Sequence, residues 1–130
     1  MLLHESAHTR IEWLEDDKIL LKQFNGYVGG REMREAFNAG YEAMRTHNGC
    51  KWLSDNRYLK PYQQADVDWI NTDWFPRMMD IGWKYWGIVE PVSIMGNLSM
   101  RSFINLYRDQ GLVLNVFDSI KEGRAWLNSM

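Results

Sequence analysis

Asp55 and Arg57 stand two positions apart in the run Lys51-Trp52-Leu53-Ser54-Asp55-Asn56-Arg57. In an extended chain, residues two apart share a face. A carboxylate and a guanidinium so placed either act on a ligand, as acid, base or anion holder, or neutralise each other as an ion pair that closes the strand. Arg77 follows Pro76 and comes four residues after Asp73, so it can reach an anion or pair with that aspartate along a helix. Ser54 is the only hydroxyl in the run that a phosphoswitch would use. It reads as a strand residue, away from the helix N-terminus that would stabilise a phosphate, so no phosphorylation site is assigned.

The aromatic residues are the second chemical feature. Seven tryptophans occur in 130 residues, and Trp52, Trp69, Trp74, Trp83 and Trp86 crowd one region. They form either a core built of large rings or an aromatic-lined pocket, and eight methionines would suit an adaptable apolar site. Trp52 and Trp74 fall at core positions. Trp69 sits beside Asp66 and Asp73 on a helical wheel, off the stripe of Val67, Ile70 and Trp74, and so reads as a pocket rim or a subunit contact.

Other reactive types carry less. His4 and His8 share a face of an extended segment but have no carboxylate or cysteine at ligand spacing, so no metal is expected. The single Cys50 excludes an intramolecular disulfide, fits a reducing compartment, and reads as a small buried hydrophobe. No nucleophile elbow, phosphate loop or dinucleotide fingerprint is present, and Gly26, Gly29 and Gly30 read as turn residues. No cofactor is expected. The residues point away from an enzyme, with Asp55 and Arg57 the only pair that could make one.

These residues need elements to position them. Arg10 to Leu14 and Lys18 to Phe24 flank an acidic turn and read as a hairpin, with a further strand near Leu2 to Ser6. Met33, Phe37, Tyr41 and Met44 recur on one helix face, which ends at Asn48-Gly49. Cys50 to Ser54 reads as a central strand with Asp55-Asn56-Arg57 at its C-terminal end. A helix follows from Gln63 to about Gly82, with a kink or restart expected near Phe75 because Pro76 removes a backbone donor. Lys84 to Val89 is a strand and the stretch to Leu98 reads as loop. A helix capped by Ser99 stops at Gly111, Leu112 to Phe117 is the last strand, and Ser119 with Glu122 makes a capping box for a final helix. The alternation of strand and helix from residue 50 onward calls for right-handed crossovers and a mainly parallel sheet.

Lysine and arginine total 15 against 17 aspartate and glutamate, with no basic cluster, so nucleic acid is excluded as a partner class. No apolar run approaches the ~20 residues of a membrane span, and charge arrives at His4-Glu5 before any export signal could form. A cytoplasmic protein of a single domain, residues 1–130, is expected.

The run Lys51 to Arg57, Asp68-Trp69, Trp74-Phe75-Pro76-Arg77, Val116-Phe117-Asp118 and Ala125-Trp126-Leu127 together resemble the SpoIIAA-like group of small bacterial proteins, also labelled STAS-like or SEC14-like. That resemblance implies an α/β domain with a mixed, mainly parallel sheet, an N-terminal antiparallel hairpin and about four helices. It also implies a non-enzymatic regulatory or protein-interaction module, self-associating as a homodimer in one version, or alternatively a carrier or sensor of a small apolar, lipid-like ligand. Asp55, Arg57, Trp69 and Arg77 are then the ligand- or partner-binding candidates. Relatives of the phosphoswitch kind use an Asp-Ser-Ser-Gly stretch, and Leu53-Ser54-Asp55-Asn56-Arg57 departs from it.

Overall fold

The computed structural model describes residues 1–130. Six strands lie in one sheet in chain order: β1 (Leu2–Glu5), β2 (Thr9–Leu14), β3 (Ile19–Gly26), β4 (Lys51–Leu59), β5 (Tyr85–Val89) and β6 (Val113–Phe117). The first three pair antiparallel, because only short turns separate them, and Lys18 takes the left-handed conformation (φ 56°) that turns the chain between β2 and β3. From β3 to β6 the pairing is parallel. Each of those steps needs a crossover, and the helices supply it.

The helices are α1 (Gly30–His47), α2 (Gln64–Trp69), α3 (Phe75–Asp80), α4 (Ile94–Asp109) and α5 (Ile120–Asn128). A π-helical turn, Ile70–Trp74, joins α2 to α3, and both junctions keep right-handed helical backbone, so the three pieces form one bent rod. The restart expected near Phe75 is found there: the Phe75 N–H reaches back to the Ile70 carbonyl, and Pro76 follows in the first turn of α3, where a missing donor costs least. Asn48 (φ 52°) is the left-handed cap of α1. Ser119 accepts from the Glu122 N–H at 3.2 Å to start α5.

Parallel strands added in one direction by right-handed crossovers must place every crossover helix on the same face. Residues of α1, the α2–α3 rod and α4 accordingly share one core with Ile11, Trp13, Leu20, Phe24, Trp52, Trp86 and Ile88 of the sheet. Only α5, which follows the last strand, lies on the other face, where Leu127 packs with Ile19, Leu21, Leu53 and Val89. Gly123 lets α5 approach closely, since a Cβ there would stand 2.7 Å from the Leu53 methyl. No helix is long and apolar enough to cross a membrane.

Two sequence expectations need correction. The stretch before Leu98 is not loop: α4 starts at Ile94, capped by Ser93, whose Oγ accepts the Gly96 N–H at 3.0 Å. The true cap was masked because Ile94, Met95 and Leu98 lie exposed, so the first turns lack a buried stripe. β4 also runs on to Leu59, so Asp55 and Arg57 lie within the strand and not beyond it. Its later part carries a bulge: Gln23 pairs with Asp55 but Asn25 with Tyr58, so β4 has one residue more than β3 between those rungs.

Helix α1 meets the sheet through Gly40, where a Cβ would collide with the six-membered edge of the Trp52 ring. Alanine would normally gain about 1 kcal/mol in a helix interior. Here overpacking against a rigid buried indole should outweigh that gain, so Gly40→Ala is expected to destabilise the domain by about 1–3 kcal/mol. Urea denaturation, read as a lower midpoint at unchanged m-value, checks this.

Candidate functional site

Strand alternation separates the chemistry of β4 onto two faces. Leu53, Asp55 and Arg57 point to the α5 side, while Trp52, Ser54 and Asn56 point under the crossover helices. On the α5 side, α5 covers the strands from β4 to β6, and the sheet beyond it is open and polar. Arg57 donates to both carboxylate oxygens of Asp55, from Nε at 2.9 Å and Nη2 at 3.1 Å, and Gln23 Nε2 adds a bond at 3.3 Å. Burial alone would push the Asp55 carboxyl up; the bonds from Arg57 and Gln23 overcome this and hold it below the usual carboxylate range.

Asp55 and Arg57 line a groove of about 340 Å³ with the β1–β2 connection, Arg10, Gln23 and Tyr58. Its other arginine is also neutralised, Arg10 bridging Glu5 (2.6 Å) and Glu12 (2.8 Å), and the His8 ring lies 3.3 Å from Glu32. With these partners in place every arginine and carboxylate lining the groove is paired.

The other two candidates lie elsewhere. Trp69 is half-buried on the surface of the bent rod, with the Arg34 and Arg77 guanidiniums 5.4 and 6.0 Å from its ring. Arg77 reaches Asp73 at 2.8 Å and Asn38 Oδ1 at 2.8 Å, and stacks 4.8 Å from the Tyr41 ring. Trp69 and Arg77 thus form one cluster tying α3 to α1, on the opposite side of the sheet from the Asp55–Arg57 pair. The four residues do not converge.

The remaining tryptophans of the crowded region are core. Trp52, Trp74, Trp83 and Trp86 are all buried, and their rings contact one another edge-on or tilted. Ser54 is buried among them, and its Oγ accepts the Trp52 indole at 3.1 Å and the Trp86 indole at 3.0 Å. Its role is to satisfy two indoles, and a kinase would not reach it.

Beneath these rings lies what the sequence reading missed. Lys22 on β3 is 3% exposed and projects between Leu20 and Phe24 into the aromatic core. Its Nζ sits 4.1 Å from the Phe24 ring centroid and 5.3 Å from that of Phe37, and donates to the Tyr62 hydroxyl at 3.4 Å. No carboxylate lies within ion-pair distance of it. Burial lowers the Lys22 ammonium to about 7, against a smaller upward pull from the Asp55 carboxylate across the neighbouring strand. A cavity of about 30 Å³, room for a water molecule or two, adjoins Lys22, Ser54, Asn56 and Tyr62. The signal was the alternation itself: Leu20, Lys22 and Phe24 are three consecutive members of one strand face.

A third feature is outside both cavities. Val92, Ile94, Met95 and Leu98 are each 60% exposed or more, forming a shelf where β5 leads into α4. The Val92 N–H bonds the Arg57 carbonyl at 2.9 Å, which sets the shelf beside exposed Tyr58.

Two outcomes follow from the buried charges. Between pH ~7 and ~10.4 the unfolded chain holds the Lys22 proton and the folded chain does not, so stability rises with pH across that window and the full penalty applies below it. Lys22→Met should therefore be more stable than the natural chain by about 1–4 kcal/mol near pH 6, with the gap closing near pH 10. Denaturation curves at the two pH values test this. For Asp55 the sign is opposite: its depressed carboxyl stabilises the fold above about pH 4, and that contribution is lost as pH falls through its folded value. Arg57→Met should cost about 1–3 kcal/mol at neutral pH, a deficit that shrinks on acidification. Compared with family models, with curated proteins and with solved structures, the chain finds no match in any of the three.

Proposed function

We propose that this chain is a non-enzymatic interaction module of SpoIIAA-like, STAS-like type, acting in the cytoplasm by docking a protein partner on the Val92–Leu98 shelf. The observation that carries this reading is the exposure of four large apolar side chains in consecutive turns at the C-terminal edge of a parallel sheet. Neighbouring apolar side chains left in water at one place are the usual mark of a surface that another molecule covers. Ligands of open α/β sheets also gather at this edge.

The rim narrows the partner's chemistry. Two exposed cations stand close to the shelf: Arg101 comes three residues after Leu98 on α4, and Lys60 follows Leu59, whose carbonyl lies against Gly96 in the first turn of α4. A partner with an apolar ridge and an acidic margin fits this arrangement, with the charges steering association and the apolar residues supplying affinity. A groove of about 220 Å³ between Pro91, Val92, Ser93, Ile94, Asn97 and Leu98 would seat one side chain of that ridge. A homodimer through the same shelf belongs to the proposal as a special case.

The aromatic cavity favours the second reading, a receptor for a small apolar ligand, since ten of its thirteen lining residues are hydrophobic. Its volume of about 30 Å³ is far below that of a lipid chain, so a ligand of that kind would require the core to open.

Ile94→Glu with Leu98→Glu tests the docking reading without touching the core, because both side chains are solvent-exposed. The double variant should retain wild-type stability to within about 0.5 kcal/mol. Proteins captured from lysate by the natural chain should be lost with the double variant and kept by Ile94→Val with Leu98→Met. Capture of the same set by all three chains would refute the shelf as the docking surface, and sizing by light scattering would separate a homodimer from a heterologous partner.

A further inference from the structure

We infer that Lys22 is a carbonyl-capture site, at which the amine forms a reversible imine with a small uncharged aldehyde or ketone admitted past Tyr62. The inference is independent of the docking shelf. It begins from a lysine that the core holds at high cost. Lys22 is buried under the crossover helices with aromatic faces on two sides, and its one hydrogen-bond partner is a phenol at 3.4 Å. An amine in such surroundings is uncharged in about half of the molecules near neutral pH, far more than an exposed lysine, and the uncharged amine is the nucleophile.

The neighbouring polar atoms suit the chemistry. Asn56 is fully buried beside the same cavity, and its Oδ1 has no hydrogen-bond partner, while its Nδ2 makes only a 3.6 Å contact with Met100 Sδ. An unpaired buried carbonyl costs stability unless something pairs with it, so it marks a place prepared for a donor. Ser54 cannot accept from such a donor, because its oxygen already accepts two indoles.

The step balances without an oxidant or reductant. The Lys22 nitrogen adds to the carbonyl carbon, its proton passes to the former carbonyl oxygen, and a carbinolamine results. The hydroxyl then leaves as water while the C=N bond forms, the nitrogen proton reaching the departing oxygen by way of the Tyr62 hydroxyl, which gives up one proton as it takes the other and ends unchanged. Burial raises the Tyr62 phenol far above its ordinary range, so it carries its proton at neutral pH. The Asn56 carbonyl accepts from the carbinolamine hydroxyl. No other cation lines the cavity, so a carboxylate- or phosphate-bearing carbonyl compound would bury an unpaired charge, and the ligand class is uncharged.

Access and size both turn on Tyr62. It lies in the connection from β4 to α2, is half-buried, and closes the cavity by resting its ring against Phe37 and Phe103, at 6.5 and 6.0 Å between centroids. The 30 Å³ beneath it takes the carbonyl group and little else, so a ligand tail occupies the space that Tyr62 vacates.

Propanal with cyanoborohydride, which reduces the imine to a stable secondary amine, is the probe. The folded chain is treated near neutral pH, digested, and the occupancy of each lysine read by mass spectrometry. Lys22 should react faster than the exposed lysines Lys18, Lys60, Lys84 and Lys121 by roughly tenfold or more. Reaction at the exposed lysines with none at Lys22, or reaction at Lys22 only after urea is added, would overturn the inference. Tyr62→Phe removes one hydroxyl and keeps the ring; it should slow Lys22 while leaving the exposed lysines unchanged. An unaltered Lys22 rate in that variant would overturn the role given to Tyr62.

Discussion

Four of the five indoles buried on the helix-covered face of a six-stranded sheet hand their N–H to an acceptor inside the protein, and the rest of the core is arranged around those acceptors. Trp52 and Trp86, on adjacent strands, share the Ser54 hydroxyl; Trp74 takes the Phe37 carbonyl at 2.9 Å and Trp83 the Tyr85 carbonyl at 3.0 Å. Sharing one serine demands that β4 and β5 stand in the register that puts Trp52 opposite Trp86, and they do. Using the Phe37 carbonyl ties the bent rod to α1 at a fixed height. Slippage of either strand or helix would strand an N–H, so the polar minority of this core specifies positions that the apolar majority would tolerate only loosely.

That arrangement also explains the distribution of charge. The helical face is filled with rings, so the ion pairs of the sheet collect on the face that α5 leaves open, with Asp55, Arg57, Arg10 and Glu12 meeting there within reach of solvent. Lys22 is the exception, a single cation on the crowded side held by aromatic faces and a phenol. Its neighbourhood contains the unpaired Asn56 carbonyl, so the two least comfortable polar groups of the core adjoin one cavity.

The architecture was legible because most elements announce themselves locally. The hairpin, the Asn48 cap, the break before Pro76 and the Ser119 cap each follow from short-range residue preferences that the tertiary structure had no reason to override. The start of α4 was not legible, since Val92, Ile94, Met95 and Leu98 look like core residues to any pattern and are instead in water. Of the candidate residues, the Asp55–Arg57 and Arg77–Asp73 ion pairs were legible from spacing, but not that the two lie on opposite sides of the sheet, nor that Trp69 packs beside Arg77. Lys22 escaped because a lysine inside an apolar strand reads as a polar interruption until the face it occupies is known.

The bulge in β4 bears on how this chain tolerates changes of length. Up to Asn56 the strand alternates in step with β3, and the extra residue then inverts that alternation, sending Leu59 into the core and Tyr58 out to the shelf. A one-residue deletion between Asn56 and Tyr58 would remove Arg57 and the bulge with it, leaving Asn56 and Leu59 on the core side and Tyr58 outside, in step with β3. The strand would still pair with both placements kept, and the loss would be that of the Arg57 partner of Asp55. Insertions and deletions in this domain should therefore be sorted by parity as much as by location: one residue lost at the bulge leaves the faces of β4 as they are, while one lost in the evenly paired part before Asp55 turns them over.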